Sequence, residues 1–264
     1  MVTIIYMKWN VDPVIFTIGP FALRYYSLMF VIGFFTMGSY VSKIFKDNGK
    51  NPELVSSLTV YIIIGMLFGS RLAHCLFYEP QYYSQHLLEV LYVWQGGLAS
   101  HGGYLGVIIA VTLFLKKHKD INFLWLMDAI AAPCMFVGGL IRIGNFMNAE
   151  IYGNPTDLPW AIVFEKVDNL PRHPSQLYEA IGYITFAAIL AFCFKKKEKV
   201  WKKGTIFSLA VLLSFGFRFF VEFTKSEQSA LLNEPSINMG QWLSVAFFLF
   251  GIGLLVFLPK NKTK

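Results

Sequence analysis

Charge is what this chain has least of. Only 15% of its 264 residues are Asp, Glu, Lys or Arg, whereas 55% are hydrophobic and 17% aromatic. Soluble domains carry about a quarter charged residues. With a mean hydropathy of +0.51, the composition points to a polytopic membrane protein. Cysteine is scarce as well. Cys75, Cys134 and Cys193 each sit inside an apolar run, and an odd number excludes a complete disulfide set. They read as small apolar packing residues. No His, Asp or Glu cluster has metal-ligand spacing, so neither a metal nor another cofactor is expected. No Ser, Cys or Thr stands with a base and an orienting acid, so a covalent enzyme intermediate is not suggested. The first apolar run lacks a basic flank before a small-residue cleavage site, and a cleaved signal peptide is not expected.

What the chain does have is long apolar runs, at roughly 21–41, 54–77, 97–115, 121–141, 177–194, 204–223 and 241–258. A crossing helix needs ~20 mostly apolar residues, and a helix satisfies its own backbone in lipid. The expectation is therefore an all-α fold with about seven transmembrane helices, forming one integral-membrane domain over 1–264. Alternate loops would face opposite sides of the bilayer. One set holds fifteen basic residues, in the clusters around Lys43–Lys50, Lys116–Lys119, Lys195–Lys203 and Lys260–Lys264. The other set holds five: Lys8, Arg142, Lys166, Arg172 and Lys225. The positive-inside rule then places the N-terminus outside and the C-terminus in the cytoplasm. Net charge is +7, but its confinement to short loops gives nucleic acid no role. The longest outer connection, about 142–176, is rich in Pro, Gly, Asn and Asp and predicts a small ordered cap. A second outer segment runs over 224–240.

With this topology, polar side chains from six spans gather at one depth, the outer third of the membrane. Arg71 lies ~9 Å and His101 ~6 Å from the outer ends of their spans. Arg142 stands at an outer end, Arg218 and Glu222 lie within ~8 Å of one, Tyr26 is about as deep, and Glu179 opens the fifth span. Intramembrane charges are costly and mark functional sites. Blander readings exist for several of them. Arg218 and Glu222 are four apart and can pair on one helix face. Arg24 and Lys225 lie close enough to an interface to snorkel. Asp128 is suited to a hydrogen bond between helices, and His74 and His86 read as structural. His101 is flanked by glycines in GGLASHGGYLG, which either leave room around the imidazole or simply pack helices.

Arginine matches phosphate oxygens bidentately and stays charged. Two arginines on different helices can clamp one phosphodiester and stabilise charge on a leaving phosphate. A neutral histidine can take a proton from a nucleophile. The residues alone thus indicate an enzyme or a carrier acting on an anionic lipid of the outer leaflet. Against a carrier, the polar residues avoid the midplane, and no paired broken helices stand in corresponding halves. A scaffold whose arginines only pair with carboxylates fits poorly with three arginines at one depth.

One string carries more. GGLIRIGNFMNAEIYG at 138–153, with IGPFALRYYSLMF at 18–30, GGLASHGG at 96–103, RHPSQLYE at 172–179, FRFFVEF at 217–223 and MGQWLS at 239–244, closely resembles the prolipoprotein diacylglyceryl transferases of bacteria. The typical family string G-R-x-G-N-F-x-N-G-E stands here as L-R-I-G-N-F-M-N-A-E, and the matches run in order over nearly the whole chain. The resemblance implies transfer of an sn-1,2-diacylglyceryl group from phosphatidylglycerol to the lipobox cysteine of a prolipoprotein signal peptide, releasing glycerol phosphate. It also implies a multi-pass enzyme of the bacterial inner membrane with its site toward the outer leaflet. By the match, Arg142 resembles the lipid-binding arginine, Arg218 the second essential arginine, and His101 the histidine proposed to help deprotonate the thiol. Tyr26, Asn145, Glu150, Gly153 and Glu222 fall on matching substrate-site positions, and Glu179 is expected to help hold the site. Two departures stand out. Ala149 replaces the usual glycine, which costs stability if φ there is positive. Ser214 stands where some members carry a tyrosine, whose role is not carried over. The connection 154–170 is also shorter than in many relatives.

Overall fold

The structure, a computed structural model, describes residues 5–19, 21–93, 99–196, 201–225 and 239–259, with Ser100, His101, Tyr104, Lys196 and Met239 described in backbone only. Helices dominate. Long ones run over α1 (Tyr25–Asp47), α2 (Leu54–Phe77), α4 (Ser100–Lys117), α5 (Phe123–Met147), α6 (Ser175–Lys196), α7 (Thr205–Glu222) and α8 (Met239–Val256), and a short α3 covers Pro80–Gln85. Among the described residues, five helices are long and apolar enough to cross a membrane: α1, α2, α5, α6 and α7.

The segments between and before the long helices differ from the all-α expectation, because they contain five short strands. β1 (Met7–Trp9) pairs in parallel with β4 (Ile162–Phe164), which pairs antiparallel with β5 (Pro171–Arg172). β2 (Val14–Ile18) and β3 (Phe21–Arg24) form a hairpin that leads directly into α1. Backbone outside a helix must find its partners elsewhere, and the strands provide them. The cap also starts later than the sequence suggests, since α5 continues to Met147. Phe146, Ala149, Ile162 and Phe164 form a small apolar centre beneath it. Trp9 closes that centre, with its ring 4.2 Å from Phe146 and its indole N–H donated to the Phe146 carbonyl at 3.1 Å.

The chain forms two compact units, one of Met1–Met37 with Met127–Lys264 and one of Gly38–Leu126. In the first, α5, α6 and α7 pack through Ala131, Ala132, Met135, Tyr183, Ala187, Leu190, Ile206 and Ala210. Asp128 settles the start of α7. Its carboxylate accepts the Gly204 and Phe207 amides at 2.7 and 2.8 Å, capping donors that the helix cannot satisfy itself. That is an inter-helix hydrogen bond of the kind its position suggested.

In the second unit α2 and α4 meet backbone to backbone. Gly65 and Gly69 face Gly102 and Gly106, so a Cβ at Gly69 or Gly102 would strike the other's carbonyl oxygen. One at Gly65 would lie 2.5 Å from the Gly106 oxygen. Small residues four apart permit this approach, and in lipid it is packing that holds helices together. The glycines after His101 therefore seat α4 on α2. Arg71 is 1% exposed and donates to the Glu89 and Val90 carbonyls at 2.6 and 3.2 Å, with its guanidinium 5.0 Å from the Tyr83 ring. It ties down the segment around α3 and the following 3-10 turn (Leu87–Leu91).

Gly69→Leu is expected to lower stability by about 1–3 kcal/mol or more through overpacking. Gly38→Ala, where a Cβ meets nothing within 4 Å, is expected to be neutral or to stabilise by ~0.5–1 kcal/mol. Thermal unfolding of the two variants in detergent micelles compares them directly.

Candidate active site

The site is built around the way α5 ends. The Glu150 amide donates to the Asn145 carbonyl at 2.9 Å and the Ala149 amide to the Phe146 carbonyl at 3.0 Å. These six-to-one and five-to-two bonds define a Schellman ending, in which the residue after the helix takes a left-handed conformation. That residue is Ala149, with φ of +53°, and Ile151 follows at +54°. Glycine is the usual occupant because a Cβ is strained there. The glycine expected here from the resembled string would thus have a local cause, and the alanine carries the strain.

The turn folds Glu150 back over the helix it has just left. A Schellman ending usually closes with an apolar contact to the first of these residues; here the contact is polar. Asn145 donates to Glu150 Oε2 at 3.3 Å and Asn148 to Oε1 at 3.0 Å. Asn145 Oδ1 in turn accepts Arg142 Nη1 at 3.3 Å. The phenol of Tyr26 sits among Asn145, Arg142 and Glu150. Gly144 makes room for it, since a Cβ there would lie 2.7 Å from the Tyr26 ring.

The RHPSQLYE string holds the turn from the other side. Gln176 donates to the Glu150 carbonyl at 2.6 Å. Arg172 pairs with Asp168, donates to the Gly153 carbonyl at 3.2 Å and lies 5.1 Å over the Tyr152 ring. The Arg172 hydrogen bond holds the Asp168 carboxyl below the usual carboxylate range, and burial pushes the His173 imidazole down. Gly153 lies where three stretches of backbone converge. Its amide donates to the His173 carbonyl at 2.9 Å, it bridges Lys225, and a Cβ would come within 2.5 Å of Ser175 Oγ.

Below this shell runs a chain of alternating charge. Arg142 Nε stands 2.9 Å from Glu179 Oε2, off the hydrogen-bond direction, so the contact is a charge pair. Glu179 is 0% exposed and its Oε1 accepts Lys225 Nζ at 3.1 Å. The same ammonium reaches Glu222 Oε2 at 3.1 Å, and Glu222 lies 3.9 Å from Arg218 Nε. Four elements therefore contribute to one buried network: α5, α6, α7 and the turn after α7. A buried carboxylate of this kind persists only when paired.

The structure brings together Tyr26, Arg142, Asn145, Glu150, Gly153, Glu179, Arg218 and Glu222. The Arg218–Glu222 pair suggested by their spacing is present, but as one link of the chain. Lys225 corrects the snorkelling expectation: it is buried and bridges two carboxylates. Only its place three residues after Glu222 signalled this. Arg71 binds the carbonyls described above. His74 also has partners, Glu79 at 3.7 Å and the Tyr78 ring. His101 occupies the first turn of α4, and its side chain lies outside the described residues, as do residues 96–98 of its motif and 226–238 of the second outer segment.

Substitutions at 149 test the turn. For Ala149→Gly, relief of ~1–2 kcal/mol of strain opposes a lost buried methyl of ~0.8 kcal/mol and ~0.4–1 kcal/mol of added unfolded-chain entropy. The expected net change is within about 1 kcal/mol. Ala149→Val places a β-branched residue at positive φ and is expected to destabilise clearly, as read by thermal unfolding in micelles.

The family model described as prolipoprotein diacylglyceryl transferase matches residues 13–257. A phosphatidylglycerol–prolipoprotein diacylglyceryl transferase from Tolumonas auensis is 44% identical over 256 residues, covering 97% of this chain and 99% of that protein. One from Chloroherpeton thalassium is 38% identical over 252 residues, covering 96% and 94%. One from Bacteroides fragilis is 39% identical over 269 residues, covering 97% of each. With that coverage and identity, the chain belongs to the prolipoprotein diacylglyceryl transferase family.

Proposed function

We propose that this chain transfers the sn-1,2-diacylglyceryl group of phosphatidylglycerol to the lipobox cysteine of a prolipoprotein, the first lipidation step in lipoprotein maturation. The observation that carries the reading is the pairing of Arg142 with the fully buried Glu179. It fixes a permanent cation beside Asn145, Glu150 and Tyr26, within a string that matches the family.

Arg142 and Arg218 hold the phosphodiester and stabilise the charge that grows on it as it leaves. Asn145 and Glu150 orient the headgroup and the arginine, and Tyr26, Gly153 and Glu222 complete the substrate site. The cysteine sulfur, as thiolate, attacks the C3 carbon of the diacylglyceryl unit. The C3–oxygen bond breaks, its electron pair leaves with glycerol phosphate, and a thioether remains. His101 assists by taking the thiol proton, a role resting on the SHGG match alone. The whole chain, residues 1–264, acts as one inner-membrane transferase. It has seven spans, the N-terminus outside, the C-terminus cytoplasmic, and the site open to the outer leaflet.

Purified protein in micelles with phosphatidylglycerol and a synthetic lipobox peptide provides the test, read by mass spectrometry. A diacylglyceryl adduct on the cysteine is expected, reduced at least about a hundredfold in Arg142→Ala. No adduct, with phosphatidylglycerol binding that still depends on Arg142, would make the protein a carrier. Full activity of His101→Gln would remove the proton-acceptor role.

A further inference from the structure

Glu222 closes α7, and one oxygen of its carboxylate faces the charged chain. Oε2 meets Lys225 Nζ at 3.1 Å and stands 3.9 Å from Arg218 Nε. The other oxygen turns to a different element. A Cβ at Gly240, in the first turn of α8, would strike Glu222 Oε1 and come within 2.6 Å of Cδ. The carboxylate therefore lies against the backbone of α8, in space that any side chain at 240 would take.

The helix has little freedom to back away from this contact. It is fixed on α7 along its length: the Phe247 ring stacks on Phe215 with centroids 4.5 Å apart. A Cβ at Gly251 would press on Leu212 at 3.0 Å, and one at Gly216 on Phe248 at 3.1 Å. The first turn is anchored as well, since the buried Ser244 hydroxyl donates to the Gly240 carbonyl at 2.7 Å. The carboxylate is the freer partner, because it swings on side-chain torsions with several wells. Bulk added at 240 is thus met by a displaced Glu222 rather than a displaced helix.

We infer that Gly240 is a positioning residue of the substrate site. By presenting no side chain, it lets the start of α8 stand as a stop behind Glu222 and leaves Oε2 directed at Lys225 and Arg218. The inference rests on the transferase reading, which puts Glu222 in the substrate site. The contact between Gly240 and Glu222 does not depend on that reading.

Gly240→Ala, measured with and without the carboxylate, separates this role from a merely structural one. Gly253→Ala, in the same helix where a Cβ meets nothing within 4 Å, controls for the helix propensity that alanine adds. In the natural background Gly240→Ala is expected to lower kcat/KM for phosphatidylglycerol by about tenfold or more. Gly253→Ala is expected to stay within about twofold of the natural protein. In Glu222→Ala nothing remains to be displaced, and adding Gly240→Ala is expected to change kcat/KM by less than about twofold. Thermal unfolding in micelles reads the same cycle a second way. The midpoint shift caused by Gly240→Ala is expected to be at least about 2 °C more favourable without the carboxylate than with it. A fully active Gly240→Ala would overturn the inference, and so would a loss of the same size in both backgrounds. Failure of Gly240→Ala to fold in either background would overturn it too, since the helix would then have given way. Should Glu222→Ala retain no measurable transfer, the unfolding cycle decides, and equal shifts in the two backgrounds overturn the inference. If the natural protein forms no adduct, the transferase reading fails, and the unfolding cycle still tests the contact.

Discussion

A carboxylate shut away from solvent must be matched by cations, and Glu179 sets that condition for the rest of the site. With no exposed surface, it draws Arg142 from α5 and Lys225 from the turn after α7. Breaking such a pair costs about 3–5 kcal/mol, because the remaining charge stays buried. The α5, α6 and α7 ends are therefore held in one relation by electrostatics at the depth where their apolar packing gives out. Arg142 gains a fixed direction, and so does the phosphate it would bind.

Around this centre, backbone geometry does what side chains cannot. The Schellman ending of α5 turns the chain sharply enough for Glu150 to reach Asn145, at the expense of an alanine and an isoleucine with positive φ. Strain of this sort persists where surrounding contacts over-determine it. Here those contacts are the Gln176 bond to the Glu150 carbonyl, the packing of Ala149 in the cap centre, and the backbone crowding at Gly153.

Much of this was legible in the sequence, and the reasons differ by residue. Apolar runs reported the long helices because lipid demands continuous hydrophobicity, and α2 coincides with its predicted bounds. Arg142, Asn145 and Glu150 stood out because polar groups at the end of an apolar run are conspicuous. Ala149 announced its strain by replacing a glycine. The short strands were hidden, since two to five residues leave no period to detect, and β3 lies inside the apolar run read as the first helix. Lys225 was hidden for another reason. A lysine near a membrane boundary satisfies a snorkelling rule locally, and its partnership with Glu179, forty-six positions away, exists only in the folded chain. Arg71, which the sequence places at a similar depth, donates to the Glu89 and Val90 carbonyls of its own unit.

The central claim is that Glu179 organises Arg142, the arginine proposed to hold the phosphate, through its charge. The most direct test is kcat/KM for diacylglyceryl transfer by Glu179→Gln, beside Tyr183→Phe, which removes an uncharged contact to the same carboxylate. A loss of about a hundredfold is expected for Glu179→Gln, the scale set by a small displacement of a positioned group, with Tyr183→Phe little changed. Transfer at the natural rate by folded Glu179→Gln would contradict the account.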